Sequence, residues 1–438
     1  MEIFDRLTKS LERIEPIKAK GKIDTVLGLV YEISGIKLSI GDMCIIDRGK
    51  DKEKVLAEIV GFKDKKMLAM SLGVSDSISP KSKVETLGEP FTVRVSRELV
   101  GRILDGLGRP LDNKGPIIGE KYPIYREPPH PLLRERVKEP LSVGIRAIDA
   151  LLTIGKGQRM GIFAGSGVGK STLLGMIARN TVAEINVIAL IGERGKEVRD
   201  FIERDLKEEG LKRSVVVVVT SDQEPLLKVK GALVATAIAE FFRDLGMDVL
   251  FMMDSVTRFA MAQREVGLAI GEPSATKGYT PSVFSLLPKL LERAGRGEKG
   301  SITALYTVLV EGDDMNEPIA DAVRSILDGH IVLSRAIASR NHYPAIDILN
   351  SVSRAMIDIV SKEHYMAAGK IREILEVYRT SEDLINIGAY SSGSNPKIDR
   401  AISMIDEINN FLKQGVDEKS SFEETVNKLM ELAAKSGI

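Results

Sequence analysis

The tract "GIFAGSGVGKSTLLGM" at 161–176 constrains this chain more than any other. Three glycines and a lysine stand between an apolar run and a helical one. The phosphate-loop pattern G-x-x-x-x-G-K-[ST] reads here as "AGSGVGKS" at 164–171, with Ala164 in place of the first glycine. That departure is small, because Ala164 ends a strand and needs no positive φ. Gly165, Gly167 and Gly169 let the backbone curl, so that successive N–H groups from Gly165, Ser166, Gly167, Val168 and Gly169 face phosphate oxygens. A helix beginning near Lys170 adds its positive dipole end. In this pattern Lys170 bridges the β- and γ-phosphates, Ser171 coordinates Mg²⁺ and Thr172 reaches the α-phosphate. The bland alternative is a glycine turn between strand and helix, and the strand-loop-helix context favours the phosphate loop over it.

Such a loop needs a carboxylate at the tip of a buried strand to orient a metal-bound water. "MDVLFMMD" supplies Asp254 after five apolar residues; an aspartate there can also cap the helix that "DSVT" begins. Hydrolysis further needs a group that orients the attacking water. Glu193, in "IALIGERGKE", follows the strand after the loop helix, and a carboxylate there can polarise water in line with the β–γ bond. A strand inserted beside the phosphate-loop strand would bring Glu193 close to the γ-phosphate. The separation 254 − 170 = 84 residues leaves room for it.

The runs "RMGIFAG", "NVIALIG", "VVVVVTS", "DVLFMMD", "ITALYTVLV" and "HIVLS" are nearly continuous apolar strands separated by helical stretches. That is the pattern of a parallel sheet covered on both faces, and it predicts an α/β, doubly wound, RecA-like core. Before it, short apolar runs punctuated by Gly28, Gly35, Gly41 and Gly49 predict a small β-barrel. After about residue 362 strands cease and helical periodicity takes over. The expected division is 1–88 (N-terminal segment and β-barrel), 89–361 (nucleotide core) and 362–438 (helical domain). At the start, Ile3, Phe4, Leu7, Leu11 and Ile14 share one helical face until Pro16, which suits a helix packed on its own domain or a docking helix.

Composition narrows the function classes. Lys+Arg and Asp+Glu balance at 62 each, without the basic excess usual in a general nucleic-acid binder. No apolar run is long enough to cross a membrane, and "MEIFDRLTKSLERIEPIK" lacks a signal-peptide core. The one cysteine, Cys44, allows no internal disulfide and fits a reducing compartment.

The chain resembles the hexameric ATPases related to the catalytic subunits of rotary ATP synthases. "VGRILDGLGRPLDNKGP" (100–116), "IGERGKEVRDF" and "PAIDILNSVS" (344–353) carry that resemblance. Longer matches, including "MDSVTRFAMAQREVGLAIGEPSATKGYTPSVFSLLPKLLERAG" and "INIGAYSSGSNPKIDRAI", make it most similar to the flagellar and type III protein-export ATPases. The resemblance implies an ATP hydrolase with Glu193 as catalytic glutamate and Arg194 as the basic residue beside it. Arg354 in "NSVSRAM" matches an arginine finger that reaches the neighbouring subunit's γ-phosphate, and Tyr343 in "HYPAID" matches an aromatic that stacks on adenine. Tyr390 in "GAYSSG" is read as structural. An arginine supplied in trans is worth about 10³–10⁵ in rate. A chain holding both Glu193 and Arg354 can therefore serve a copy of itself, as a homohexamer.

By the same resemblance the ligands are ATP and Mg²⁺. The implied partners are a regulator at the N-terminal segment, a coiled-coil stalk protein in the pore, and export chaperone–substrate complexes at the helical domain, with no nucleic acid. The implied location is cytoplasmic, peripherally associated with a membrane export gate. The alternatives are a rotary ATP synthase catalytic subunit and, from another class, a hexameric RNA translocase of the termination-factor type. The barrel lacks the cluster of stacking aromatics and arginines that an RNA site needs.

Overall fold

The computed structural model describes residues 20–436, apart from 50–51, 65, 74–75, 131, 133, 311 and 313. The amphipathic stretch at 1–15, with the regulator contact expected there, lies outside the described residues.

Each of the first six strands contributes at least one buried apolar side chain. They are β1 (Lys20–Leu27), β2 (Val30–Ser34), β3 (Asp42–Ile46), β4 (Val55–Lys63), β5 (Lys66–Ser71) and β6 (Lys83–Pro90). They close into an antiparallel barrel in the order β1-β2-β5-β4-β3-β6, which leaves no open edge. Ile23, Ile33, Ile46, Ala57 and Ile59 fill its interior, and Cys44 is buried among them.

A two-stranded ribbon of β7 (Thr92–Val95) and β9 (Glu120–Pro123) leads into the core, with β8 (Ile103–Asp105) between them in sequence. The large sheet adds β10 (Arg159–Ala164), β11 (Ile185–Glu193), β12 (Ser214–Thr220), β13 (Asp248–Asp254), β15 (Ser301–Leu309), β16 (Gly329–Leu333) and β17 (Ile346–Ser353). The short β14 (Gly295–Arg296) pairs beside β15. The strand order is β17-β16-β10-β15-β13-β11-β12-β8. Strands β8 to β16 along this path are parallel, and β17 alone runs against its neighbour β16.

Among the described residues ten helices cover the sheet and its edges: α1 (Arg146–Leu151), α2 (Lys170–Asn180), α3 (Gly195–Asp200), α4 (Lys207–Leu211), α5 (Pro225–Asp244), α6 (Val256–Ala269), α7 (Pro281–Leu291), α8 (Pro318–Ile326), α9 (Arg335–Ser339) and α10 (Met356–Ile359). Between α3 and α4 the chain makes a π-helical turn, Phe201–Leu206. Alternation sorts the side chains. Val215, Val217 and Val219 pack with Val234, Ile238 and Phe242 of α5, whereas Val216 and Val218 pack on the other face with Leu173 and Ile177 of α2. Both faces are dry, so the strands read as continuous apolar runs.

The chain ends in α11 (Lys362–Asn386), α12 (Pro396–Leu412) and α13 (Phe422–Lys435). Ser361 caps α11 through the His364 N–H, and Ser421 with Glu424 forms a capping box on α13. The buried His364 ring contacts the Ala150 carbonyl oxygen at 2.8 Å, which docks this bundle on α1. Among the described residues no helix is long and apolar enough to cross a membrane.

Candidate active site

The glycine-rich loop leaves β10 at Ala164 and enters α2 at Lys170. Gly167 and Gly169 take left-handed φ values of 78° and 84°, where a side chain is costly; Gly165 does not need to. Val168 is buried and anchors the loop, whereas Ser166 is exposed at its tip. Lys170, Ser171 and Thr172 occupy the first turn of α2, where four backbone N–H groups lack helical partners.

The loop lysine is held between two carboxylates. Its Nζ lies 2.5 Å from Asp254 Oδ1 and 3.7 Å from Glu193 Oε1. Burial alone would lower the Lys170 ammonium; the charges of Asp254 and Glu193 more than offset it and raise it. Asp254 is buried and accepts a second hydrogen bond from Thr307 Oγ1 at 2.8 Å. It does not cap α6: that role falls to Ser255, whose hydroxyl accepts from the Arg258 N–H at 3.3 Å.

Glu193 arrives by a route that the sequence analysis did not foresee. Its strand β11 is not beside β10; β15 and β13 lie between them. Leu190 is level with Asp254 in the pairing of β11 with β13, so Glu193 projects past the tip of β13 toward Lys170. A register shift between Ile191 and Glu193, with Gly192 at φ 76°, makes that extension possible. Gly192 also admits Arg258: a Cβ there would stand 2.8 Å from the Arg258 Cβ.

Burial, the Asp254 charge and a hydrogen bond shared with Glu197 push the Glu193 carboxyl up to about 7. The same shared bond holds Glu197 low. Neither Glu197 nor Thr307 stands out in the sequence as a site residue. The first lies in the short helix α3, four residues past the end of β11 at Glu193, and the second has no local signal. Arg194 is exposed and stands 3.6 Å from Glu197.

Tyr343 and Arg354 flank β17. Tyr343 is half exposed, and its ring lies over the loop: a Cβ on Gly169 would meet two of its ring carbons at 3.5 Å. Arg354 is exposed and has no ion-pair partner among the described residues; its backbone N–H donates to the Asp328 oxygen at 3.1 Å. Tyr390 lies elsewhere, its hydroxyl 3.0 Å from both the Asn395 carbonyl oxygen and Asp399.

Comparison with known proteins fits this geometry. Residues 144–353 match the model of the ATP synthase alpha/beta family, nucleotide-binding domain, and 23–88 match the beta-barrel domain of the same family. Residues 360–431 match the T3SS EscN ATPase C-terminal domain. The flagellum-specific ATP synthase of Bacillus subtilis (strain 168) is 55% identical over 433 residues, spanning 97% of this chain and 98% of that one. The type 3 secretion system ATPase of Xanthomonas euvesicatoria is 49% identical, over 97% of this chain and 96% of that one.

The chain belongs to the flagellar and type III secretion ATPase family. It is an ATPase with the family's barrel, nucleotide core and C-terminal helical domain. The structure of the assembled ATPase EscN from enteropathogenic E. coli superposes with a TM-score of 0.88 at 46% identity, covering 94% of this chain and 100% of that one. A second structure shows EscN in complex with its central stalk EscO, with the same TM-score and identity.

Proposed function

We propose that the chain hydrolyses ATP at interfaces between copies of itself, in a homohexameric ring that couples turnover to protein export. The observation that carries this is the position of Arg354. Strand β17 is antiparallel to β16, so Ser353 pairs with Gly329 at the start of β16, while Ile346 pairs with Leu333 at its end. Ala164 also pairs with Leu333. Arg354 therefore stands at the end of the sheet opposite the phosphate loop, roughly 17 Å away at the usual rise per strand residue. It cannot serve the triphosphate of its own chain, and it is free to serve a neighbour's.

Within one copy, Gly165, Ser166, Gly167, Val168 and Gly169 cradle the phosphates, Lys170 grips the β- and γ-phosphates, and Thr172 reaches the α-phosphate. Tyr343 stacks on adenine. Glu193, poised near neutrality, orients the attacking water and accepts its proton; Arg194 supports it electrostatically. Arg354 of the next copy meets the charge that develops on the transferred phosphoryl group.

Mg²⁺ fits this donor set. Oxygen donors suit a hard cation, and a crowded pair of carboxylates with one ammonium leaves room for added positive charge. Among the described residues no cluster of three or more His, Cys, Asp or Glu holds a metal unaided. Ser171 would bind the ion directly and Asp254 through water, with phosphate oxygens completing the shell. When bound, the ion would neutralise charge on the β- and γ-oxygens.

The division into 1–88, 89–361 and 362–438 belongs to the same reading. So do a stalk in the pore, by analogy with EscN and EscO, a regulator at the N-terminal segment and chaperone–substrate complexes at the helical domain. The site of action is cytoplasmic, at a membrane export gate. Purification of the tagged chain from its own cells tests this: export chaperones and a stalk protein should accompany it, whereas rotary-synthase subunits or RNA in their place would overturn the export reading.

A further inference from the structure

The segment after α12 closes over the nucleotide core from the helical domain. Gln414 lies in it, 5% exposed, and its side-chain amide is fully engaged. Nε2 donates to the Gly144 carbonyl oxygen at 2.8 Å and to the Glu418 carbonyl oxygen at 2.9 Å, while Oε1 accepts from the Arg146 N–H at 2.9 Å. Both donors point at carbonyls and the acceptor at an N–H, so the network allows only one orientation of the amide.

Two links connect this residue to the nucleotide site. Its backbone N–H donates to the Tyr343 carbonyl oxygen at 2.9 Å, and Tyr343 lies over Gly169 at the start of α2. At the other end of α2, Gly144 packs against Asn180, where a Cβ would come within 2.5 Å of the Asn180 Cβ. The Arg146 side chain adds a second clamp, with Nε donating to the Phe411 carbonyl oxygen at 2.8 Å.

We infer that Gln414 is a positioning residue for recognition of the nucleobase. It fixes the backbone that holds Tyr343 at its height above the phosphate loop, and so lets the helical domain set how well adenine is gripped. The inference rests on the proposal that Tyr343 stacks on adenine. Loss of the Gln414 amide lets the segment drift. The base contact then weakens, while the phosphate loop, built on β10 and α2, is left in place.

The test uses the full chain with Gln414→Met, which keeps the volume and removes the hydrogen bonds. KM for ATP should rise about tenfold with kcat within about twofold, the signature of lost uniform binding. ADP should weaken as an inhibitor by a similar factor, whereas inorganic tripolyphosphate, which has no base, should inhibit as before. Adding Tyr343→Ala to Gln414→Met should cost no more than Tyr343→Ala alone. Should the methionine chain fail to fold, Gln414→Asn, which shortens the side chain but keeps the amide, is read on the same measurements.

An unchanged KM for ATP in the Gln414 variants, with a raised KM in Tyr343→Ala, overturns the positioning role and leaves stacking intact. Equal weakening of ADP and tripolyphosphate also overturns it, since the residue would then act on the loop. An unchanged KM in Tyr343→Ala overturns the stacking reading itself.

Discussion

Tyr343 and Arg354 stand at opposite ends of one strand. Tyr343 precedes β17 and covers the phosphate loop of its own chain, while Arg354 follows β17 and emerges at the far end of the sheet. One extended segment thus carries a group for the chain's own nucleotide and a cation that has no ion-pair partner among the described residues. Because β17 runs from one end of the sheet to the other, its two flanks reach two different sites.

Lys170, Asp254 and Glu193 form a compact charged group at the loop. Removing the lysine takes away the group that grips the phosphates and leaves the two carboxylates uncompensated. Lys170→Ala should lower kcat by at least about 10²–10³, the usual loss of a preorganised electrostatic contact, and weaken ATP binding as well. Steady-state phosphate release and nucleotide titration check both.

Glu193→Gln should separate binding from chemistry. The amide keeps the shape and loses the base, so turnover should fall about 10²–10⁴-fold while ATP remains bound. Filter retention of nucleotide alongside phosphate release distinguishes this variant from Lys170→Ala.

The Glu193 carboxyl sits at about 7 in the free enzyme. A base must be deprotonated to work, so kcat/KM should be level above that pH and fall about tenfold per unit below it. Glu197 contributes to the raised value through the shared hydrogen bond. Glu197→Gln removes that neighbour's charge, and the acid limb of the profile should move to lower pH. A limb that stays in place, or moves up, contradicts the assignment.

Much of this was legible in the chain itself. The loop, Asp254 and Glu193 announce themselves because each needs only local pattern: a glycine-rich turn, or a carboxylate closing an apolar strand. Strand order was not legible. The β11 strand stands two places from where the spacing suggested, because crossovers choose neighbours through helix packing and not through anything written in the strand. Thr307 and Gln414 were invisible for a related reason. Their partners lie 53 residues away at Asp254 and 270 away at Gly144, and single residues of those types carry no pattern.

Gly175 shows how packing decides against propensity. Inside a helix, alanine is favoured over glycine by roughly 1 kcal/mol. A Cβ on Gly175, however, would stand 2.6 Å from the Asp205 carbonyl oxygen in the π-helical turn that follows the Glu193 segment. Backbone cannot yield as a side-chain end does. Gly175→Ala should therefore destabilise by about 1–3 kcal/mol, seen as a lower midpoint in thermal unfolding. A raised midpoint would mean that α2 and the turn are not in contact.

The central claim is catalysis shared between copies, and mixing two inactive proteins tests it most directly. Arg354→Ala keeps an intact phosphate site but offers no cation to its neighbour; Lys170→Ala offers the cation but has no working site. Each alone should be inactive. Mixed and allowed to exchange subunits, they should regain part of the wild-type phosphate release, through interfaces that pair an intact loop with an intact Arg354. Failure to recover activity at any mixing ratio, with subunit exchange confirmed, would contradict the account.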